Sequence, residues 1–381
     1  MRVLQLLSSN SYHGAETMAA ELVHQLHELG VEVYVGILDN DGRADREILR
    51  VTAGSVQEQV VFPCSGRWDP NTAGHLRDFV NSRRVDLIHS HKYKATFYAL
   101  LACRRRDGAN SRGNRVPVVT TYHNWLYDTW ALRVYAAIDQ RLARFCDAAV
   151  AVSAPIENTL KRFVAPDRLW RVGNGVDVDR FCPLPADERQ ALRSAMGWDG
   201  KRLLGFVGRL VRDKGISYLL QALSDLPTDV GASCHLVIIG DGPERGAIEA
   251  ELRLRGLQAR VSLLGNRSDV ARLYPALDLF VLPSLVEAFP MVVVEAMACA
   301  IPVLATAVGD VAAIVQDGKN GKVVAPGDAV ALREALVASL LSDPERLHAM
   351  GAAARERAVG LFSARQMAKN YTNIYESVLR H

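Results

Sequence analysis

Two acidic residues, Glu287 and Glu295, bracket the start of a segment that is otherwise almost entirely apolar. A short apolar run, residues 277–282, predicts a buried strand that leads into the loop carrying Glu287. We predict that a helix then starts at Pro290, because the first helical N–H has no intrahelical partner and a proline there loses nothing. Eight helical residues span about 12 Å. One elongated ligand could therefore meet a carboxylate at each end and the positive helix N-terminus in its middle.

The same spacing also fits a core helix with one glutamate on its solvent side, and spacing alone leaves both interpretations open. A carboxylate on so apolar a helix is rarely buried without a partner. A ribose diol would supply that partner for Glu295, and hydroxyls of a second sugar would bind Glu287. A diphosphate between the two sugars would then lie at the helix start, beside Phe289, Pro290 and Met291.

Basic residues follow the first predicted strand of the second half of the chain. That strand ends at Gly208, and Arg209 and Lys214 precede a helix predicted from Ile216. A guanidinium binds phosphate oxygens in a bidentate manner, and an ammonium adds a point charge. Together they would neutralise a diphosphate without a metal ion, so we expect neither a metal nor another cofactor. The alternative is a pair of surface charges flanking a helix start.

Polar residues follow the predicted strands of the first half as well. His89 and His91 lie at the end of one strand, and His123 follows the next. Ligands of parallel sheets bind beyond the carboxyl ends of the strands, which makes these histidines candidates for ligand contact. A lone histidine is more often structural. Gly14, in the loop after the first strand, would let the backbone approach a phosphate or sugar closely, or it simply forms a tight turn.

The motifs of the second half resemble, in order and spacing, those of the retaining GT-B glycosyltransferases of family four. Glu287 to Glu295 is similar to the Glu-x7-Glu motif of that family. The other matching stretches are Gly208-Arg209 to Lys214-Gly215, Gly240-Asp-Gly-Pro243, and Pro302-Val303 to Asn320-Gly321. The resemblance implies transfer of a hexose from a nucleoside diphosphate sugar, UDP- or GDP-linked, with retained configuration. It also implies that His123 contacts the donor sugar.

The predicted catalytic residues are Glu287, Arg209, Lys214 and His123. The predicted donor-binding residues are Glu295, Gly14, Gly208, Asn266, Arg267, Phe289, Pro290 and Met291, of which Asn266 and Arg267 would meet the nucleotide base from a loop after a strand. Trp125, Asp128 and Trp130 are candidates for an acceptor site. The chain departs from the family at His13, Ala288 and Asp310, where the family often has glycine.

Short strand patterns alternate with helical patterns throughout the 381 residues, which are too long for one ordinary core. This pattern predicts an α/β protein with two domains, and the resemblance implies the GT-B architecture, in which two Rossmann-like domains face each other across a cleft. By the same resemblance, the predicted domains are an acceptor-binding domain at 1–185, a nucleotide-sugar domain at 186–360, and a C-terminal helix at 361–381 that returns to the first domain.

The composition predicts a cytoplasmic protein. Its six cysteines are scattered without a Cys-x-x-Cys pair, and the first apolar run is too short for a signal peptide. Residues 1–180 contain 23 Lys and Arg against 20 Asp and Glu, which accounts for the whole net charge of +3. Nine basic residues lie between Arg83 and Arg115. They could contact anionic lipid at the inner face of a membrane or a phosphorylated acceptor, or simply be solvated. We expect no nucleic-acid partner.

The resemblance further implies that the acceptor is a hydroxyl of a glycan or glycolipid, in surface polysaccharide or glycolipid synthesis. Two rival functions stay open at this point: a sugar-nucleotide epimerase or hydrolase on the same scaffold, and a non-catalytic nucleotide-sugar-binding subunit. Asp177-Val-Asp179 spells a metal-binding motif of another glycosyltransferase architecture, but it lies beside a predicted linker. We therefore do not expect it to bind a metal.

Overall fold

The computed structural model describes residues 1–8, 14–66, 69–103, 115–125 and 129–380. The chain forms two compact units, Met1–Gly175 with Ala364–His381, and Val176–Ser363. Each unit is built on one parallel sheet, which confirms the predicted α/β class.

The first unit contains seven strands and, before the chain leaves it, six α-helices among its described residues. The strands are β1 (Arg2–Leu7), β2 (Glu32–Asn40), β3 (Glu58–Cys64), β4 (Leu87–His91), β5 (Val118–Tyr122), β6 (Ala148–Ala151) and β7 (Leu169–Arg171). The helices are α1 (Gly14–Glu28), α2 (Glu47–Thr52), α3 (Pro70–Arg83), α4 (Tyr93–Cys103), α5 (Trp130–Leu142) and α6 (Ala154–Leu160). The strand order is β3-β2-β1-β4-β5-β6-β7, and every pair is parallel.

Strand β1 shows why helices cover both faces of this sheet. Val3 and Leu7 are buried in one apolar cluster together with side chains of α1. Leu4 and Leu6, which point to the opposite face, are buried in a second cluster with side chains of α3 and α4. Because both faces are covered, a ligand can reach this sheet only at its strand ends.

The second unit contains six strands and nine α-helices within the described residues. The strands are β8 (Arg202–Val207), β9 (Cys234–Ile239), β10 (Val261–Leu263), β11 (Leu279–Leu282), β12 (Val303–Thr306) and β13 (Gly321–Val324). The helices are α7 (Ala186–Ala195), α8 (Ile216–Ser224), α9 (Thr228–Ser233), α10 (Arg245–Leu254), α11 (Val270–Leu273), α12 (Met291–Ala298), α13 (Val311–Ile314), α14 (Ala329–Leu340) and α15 (Pro344–Leu361). The strand order is β10-β9-β8-β11-β12-β13, again parallel throughout.

The last helix, α16 (Ala364–Arg380), belongs to the first unit. Its residues Met367, Tyr371 and Tyr375 are buried in the cluster that also holds Met18 and Leu22 of α1. This confirms that the C-terminal helix returns to the first domain.

The chain enters the second unit after Gly175, ten residues before the predicted boundary at 185. The segment that directly follows Gly175 makes contacts within the second unit. The Arg355 guanidinium donates to the carbonyl oxygens of Val178, at 3.5 Å, and Phe181, at 3.3 Å. The Phe181 ring also lies 5.8 Å from the ring of Tyr274, edge to face.

The return to the first unit occurs at Ala364 rather than at 361. The two crossing segments meet there, because the N–H of Val176 donates to the carbonyl oxygen of Phe362 at 2.9 Å. No helix in the described part of the chain is both long and apolar enough to cross a bilayer.

Candidate functional site

The loops that follow β8 and β9 are in direct backbone contact. Gly208 has φ +156° and Gly240 has φ +133°, in the region that favours glycine. A Cβ on Gly240 would lie 2.0 Å from the carbonyl oxygen of Gly208, and one on Gly242 would lie 2.3 Å from that of Leu210. The N–H of Gly208 already donates to Ile239 at 3.0 Å. The glycines of this motif therefore serve loop packing, and the predicted donor contact of Gly208 stays a prediction.

The basic loop after β8 carries Arg209 and Lys214. Residues Arg212–Lys214 form a 3₁₀ turn, which ends at Gly215 with φ +64°. A Cβ on Gly215 would lie 2.1 Å from the carbonyl oxygen of Pro283, which follows β11, so this loop is closely packed against its neighbour. The Arg209 side chain is exposed, and no described residue forms an ion pair with it. Its guanidinium is therefore available to an anionic ligand.

Glu287 and Lys214, two of the predicted catalytic residues, form an ion pair. Lys214 Nζ lies 2.6 Å from Glu287 Oε1, and the hydroxyl of the buried Ser284 donates to the same oxygen at 2.7 Å. The Glu287 side chain is only 10% exposed. The described residues offer its other oxygen, Oε2, no hydrogen bond. The pair thus holds the carboxylate in one position and leaves one oxygen for a ligand hydroxyl.

The loop after β12 supports the loop that carries Glu287. Gly309 has φ +54°, and a Cβ there would lie 2.5 Å from the carbonyl oxygens of both Glu287 and Ala288. The N–H of Asp310 donates to the carbonyl oxygen of Ala288 at 2.9 Å. Ala288 is not among the non-glycine residues with positive φ, so an alanine is tolerated where the family often has glycine.

The helix after Glu287 starts one residue later than predicted. Pro290 has φ −77° and ψ 98°, which is extended rather than helical, so it precedes the first helical residue, Met291. Phe289 is buried, and its ring packs edge to face against Phe362 at 5.9 Å. Phe289 is therefore a core residue that fixes the helix start. The first N–H groups of α12, beginning with Met291, have no partner within the helix and suit an anion.

Glu295 lies in the second turn of α12 and is half-buried. The buried Tyr274 hydroxyl donates to Glu295 Oε2 at 2.8 Å. Burial raises the pKa of Glu295, while the hydrogen bond from Tyr274 and the positive charge of Arg180 act in the opposite direction. The carboxylate on this apolar helix therefore has a protein partner, Tyr274, which sequence reasoning did not identify.

Asn266 and Arg267 are exposed in the loop after β10. Arg267 forms a bidentate pair with Asp269, with N–O distances of 2.8 and 2.6 Å. The preceding carbonyl, that of Gly265, accepts from the N–H of Gly240 at 2.8 Å, which places this loop beside the one after β9. The predicted contact of Asn266 and Arg267 with a nucleotide base stays a prediction.

Three histidines cluster at the carboxyl ends of β4 and β5 in the first unit. His91 Nδ1 lies 3.3 Å from His123 Nε2, and the rings of His89 and His91 are 4.3 Å apart. Burial lowers the pKa of His89 to about 3 and that of His123 to about 4, so both are neutral at pH 7. His123 Nδ1 is buried and has no hydrogen-bond partner among the described residues. A ligand could provide the hydrogen-bond partner that this atom lacks.

Gly14 is the first residue of α1 and is exposed, and a Cβ added to it would meet no atom within 4 Å. The described residues therefore leave room for a ligand to approach Gly14 closely. His13, where the chain departs from the family, lies outside the described residues. In the same turn, the buried Glu16 forms an ion pair with Lys92.

The residues suggested for an acceptor site have separate environments. Trp125 Nε1 donates to Asp139 Oδ2 at 2.9 Å, and Trp130 is 80% exposed. Burial raises the pKa of Asp139 to about 7, although the bond from Trp125 lowers it. Asp128 lies outside the described residues. Sequence reasoning missed Asp139, because a single acid in a helical pattern carries no sign of burial.

Most of the described basic residues in the segment 83–115 have an ion-pair or hydrogen-bond partner within the first unit. Arg83 pairs with Glu58, and Arg115 with Asp147. Lys92 pairs with Glu16, and Lys94 binds Asn40. The arginines at 104–106 and 112 lie outside the described residues. Carboxylates therefore offset the charge of three of these four side chains, and the fourth, Lys94, is buried.

Asp177 and Asp179 form a turn rather than a cation site. Oδ1 of Asp177 accepts from the N–H groups of Asp179 and Arg180, each at 3.0 Å. Within the described residues, no three His, Cys, Asp or Glu side chains are grouped to hold a metal ion. That the reaction needs no metal remains a prediction.

Two family models match the chain, one in each half. Residues 12–180 match "Glycosyltransferase Family 4", and residues 188–357 match "Glycosyl transferases group 1". The chain is 28% identical to N-acetyl-alpha-D-glucosaminyl L-malate synthase of Bacillus anthracis, over 97% of this chain and 95% of the relative. It is 32% identical to D-inositol 3-phosphate glycosyltransferase of Xylanimonas cellulosilytica, over 82% of this chain and 78% of the relative.

Solved structures share the same architecture. Anabaena HepE in complex with UDP superposes with a TM-score of 0.84 at 22% identity, covering 99% of this chain and all of HepE. Its complex with UDP-glucose gives a TM-score of 0.81. The two family models, the order of the motifs and the relatives all indicate the same family. The chain belongs to the group 1 glycosyltransferases of the family-4 type, and it is a glycosyltransferase with the GT-B fold.

Proposed function

We propose that this glycosyltransferase transfers a hexose from a UDP-linked or GDP-linked donor to a hydroxyl of a glycan or lipid-linked acceptor, with the anomeric configuration retained. The observation that carries the proposal is the Lys214–Glu287 ion pair. It lies between the loops that follow the adjacent strands β8 and β11. Complexes of HepE with UDP and UDP-glucose favour UDP over GDP as the donor nucleotide.

Each proposed role follows from the chemistry of the side chain. The exposed Arg209 guanidinium and the first N–H groups of α12 would bind the departing diphosphate, with Lys214 adding charge. Glu287 Oε2 would accept from a hexose hydroxyl, and Glu295 would accept from the ribose hydroxyls. Catalysis would then consist mainly of positioning and of stabilising the charge on the leaving diphosphate.

The proposal is tested by incubating the protein with UDP- and GDP-hexoses and a panel of glycan and lipid-linked acceptors. We expect acceptor-dependent release of the nucleoside diphosphate and a product whose anomeric proton has the coupling of the donor configuration. Conversion or hydrolysis of the donor without acceptor would favour the epimerase or hydrolase alternative. An inverted product would contradict retention.

We also propose that the enzyme works at the cytoplasmic face of an anionic membrane, in surface polysaccharide or glycolipid synthesis. The supporting observation is the outer face of α5, rather than the segment 83–115. Trp130, Val134 and Ile138, spaced four apart on one side of this helix, are 80%, 37% and 43% exposed. Arg141 is exposed on the same side. Tryptophan and arginine suit a membrane interface, where the apolar face is buried by about 5–10 Å.

Replacing Trp130 and Ile138 together by serine should weaken binding to anionic vesicles at least about 10-fold, because two large apolar side chains no longer leave water. Co-flotation with vesicles of phosphatidylglycerol and phosphatidylcholine measures this. Leu254→Ser is the matched control, since Leu254 is 86% exposed on α10 in the other unit. Equal flotation of all three proteins would contradict a membrane role for α5.

A further inference from the structure

A line of hydrogen bonds runs from the C-terminal helix to His123. Gln5 Nε2 donates to the Tyr375 hydroxyl at 3.2 Å, and Gln5 Oε1 lies 2.9 Å from His91 Nε2. His91 Nδ1 in turn lies 3.3 Å from His123 Nε2. Tyr375, Gln5 and His91 are all at most 1% exposed. Water therefore does not compete for these bonds, and each atom must use the partner it has.

The orientation of the Gln5 amide determines which atom donates in each hydrogen bond of this line. Its NH₂ group donates to Tyr375, so its carbonyl oxygen faces His91 and can only accept. His91 must therefore carry its proton on Nε2. A neutral imidazole has a single N–H, so His91 Nδ1 is an acceptor and His123 must donate to it from Nε2. His123 Nδ1 then carries a lone pair and no proton.

His91 and His123 are both neutral in this arrangement. Burial lowers the pKa of His91 well below its usual value, and the neighbouring His89, His123 and Lys92 lower it further. Burial also lowers the pKa of His123, where Glu16 acts to raise it and Lys92 to lower it. Both rings are uncharged at neutral pH.

The opposite direction is less favourable. If the Gln5 amide were rotated by half a turn, the donor and the acceptor would exchange at each hydrogen bond along the line. The proton of His123 would then be on Nδ1. That N–H would be buried without an acceptor among the described residues. A buried donor without a partner costs about 1–3 kcal/mol and is rarer in proteins than an acceptor without one.

The other bonds of Tyr375 agree with this direction. Its hydroxyl lies 2.7 Å from His89 Nδ1, and having accepted from Gln5 it can donate its proton there. His89 Nε2 then carries the proton and donates to Thr121 at 2.7 Å. In this direction each of the bonds that join Gln5, Tyr375, His89 and Thr121 has one donor and one acceptor.

We infer that Gln5 and Tyr375 are positioning residues that hold His123 in the Nε2–H tautomer, so that Nδ1 accepts a hydrogen bond from a ligand hydroxyl. A phosphate or carbonyl oxygen has no proton to donate and could not form a hydrogen bond with this atom. That the hydroxyl belongs to the sugar of the donor rests on the proposed function. The tautomer itself does not.

Long-range ¹H–¹⁵N correlation spectra of the ¹⁵N-histidine-labelled protein at neutral pH decide the tautomer. The chain has ten histidines, and the His123→Ala spectrum identifies the signals of His123. We expect a pyridine-type Nδ1 and a pyrrole-type Nε2 in both His91 and His123. A pyrrole-type Nδ1 in His123, or an average of the two tautomers, would overturn the inference.

Two tyrosine-to-phenylalanine variants of α16 separate positioning from packing. Tyr375→Phe removes the acceptor of the Gln5 amide, so the His123 nitrogens should shift toward a mixture of tautomers. Tyr371→Phe is the matched control, because the Tyr371 hydroxyl contacts Thr121, at 2.9 Å, rather than Gln5. It should leave the His123 signals unchanged. Identical His123 signals in both variants and the wild type would show that Tyr375 does not position His123.

Deoxyfluoro analogues of UDP-glucose test the ligand hydroxyl, because fluorine cannot donate a hydrogen bond. One analogue should lose at least about 10-fold in kcat/KM with the wild type but much less with His123→Ala. If the tautomer is confirmed and no analogue behaves in this way, the ligand assignment fails while the tautomer stands. If transfer occurs and the tautomer is the other one, the inference fails while the proposed function stands.

Discussion

Glu287→Gln is expected to lower kcat about 100-fold or more while leaving UDP affinity nearly unchanged. The substitution keeps the shape of the side chain but removes the charge that holds the Lys214 ammonium at 2.6 Å. Both the hexose and the lysine then lose their defined positions, and misplacement by about 1 Å suffices for a loss of this size. Turnover assays with UDP-hexose and calorimetry with UDP measure the two effects separately.

The control is Glu249→Gln on α10, which removes the same charge from an exposed ion pair with Arg245. Exposed pairs contribute little, so its turnover should stay within about twofold of the wild type. Full transfer by Glu287→Gln would remove Glu287 from the site. A parallel loss in both variants would point to a general charge effect instead.

Glu295→Ala is expected to weaken UDP binding about 10- to 150-fold. Hydrogen bonds between ribose hydroxyls and a carboxylate contribute about 1.5–3 kcal/mol each, and the alanine removes their acceptor. Titration calorimetry with UDP and with GDP gives the dissociation constants. Tyr274→Phe, which removes the hydroxyl that orients Glu295, should cause a smaller loss of the same kind. An unchanged Kd for Glu295→Ala would exclude the ribose role.

The same interaction predicts a pH dependence. Burial raises the pKa of Glu295, so the carboxylate becomes protonated at a higher pH than an ordinary glutamate. A protonated carboxyl accepts hydrogen bonds less well. UDP affinity should therefore be constant above this pKa and fall as the pH decreases through it, and Glu295→Ala should abolish that fall.

The two parallel sheets could be predicted from the sequence because the residues that mark each strand or helix are neighbours along the chain. Apolar strand runs alternate with helical spacing, and each run identifies its element from neighbouring residues alone. Sequence reasoning also predicted that Arg209, Lys214, Glu287 and His123 follow strands, since strand ends can be read along the chain. It misplaced the boundary at 185, because no local pattern shows that Arg355 binds Val178 and Phe181.

Residue types and spacing thus determined the α/β architecture, the family and the strand ends at which candidate site residues lie. Only the tertiary structure decided which of these residues touch. Lys214 and Glu287 are 73 positions apart, and Gln5 and Tyr375 are 370 apart. Lys214 and Glu287 meet because the loops that carry them follow the adjacent strands β8 and β11. Gln5 and Tyr375 meet because α16 packs on the first sheet, where burial leaves polar atoms few other partners. Propensity and periodicity describe a few neighbouring residues, and so they carry no information about contacts at that range.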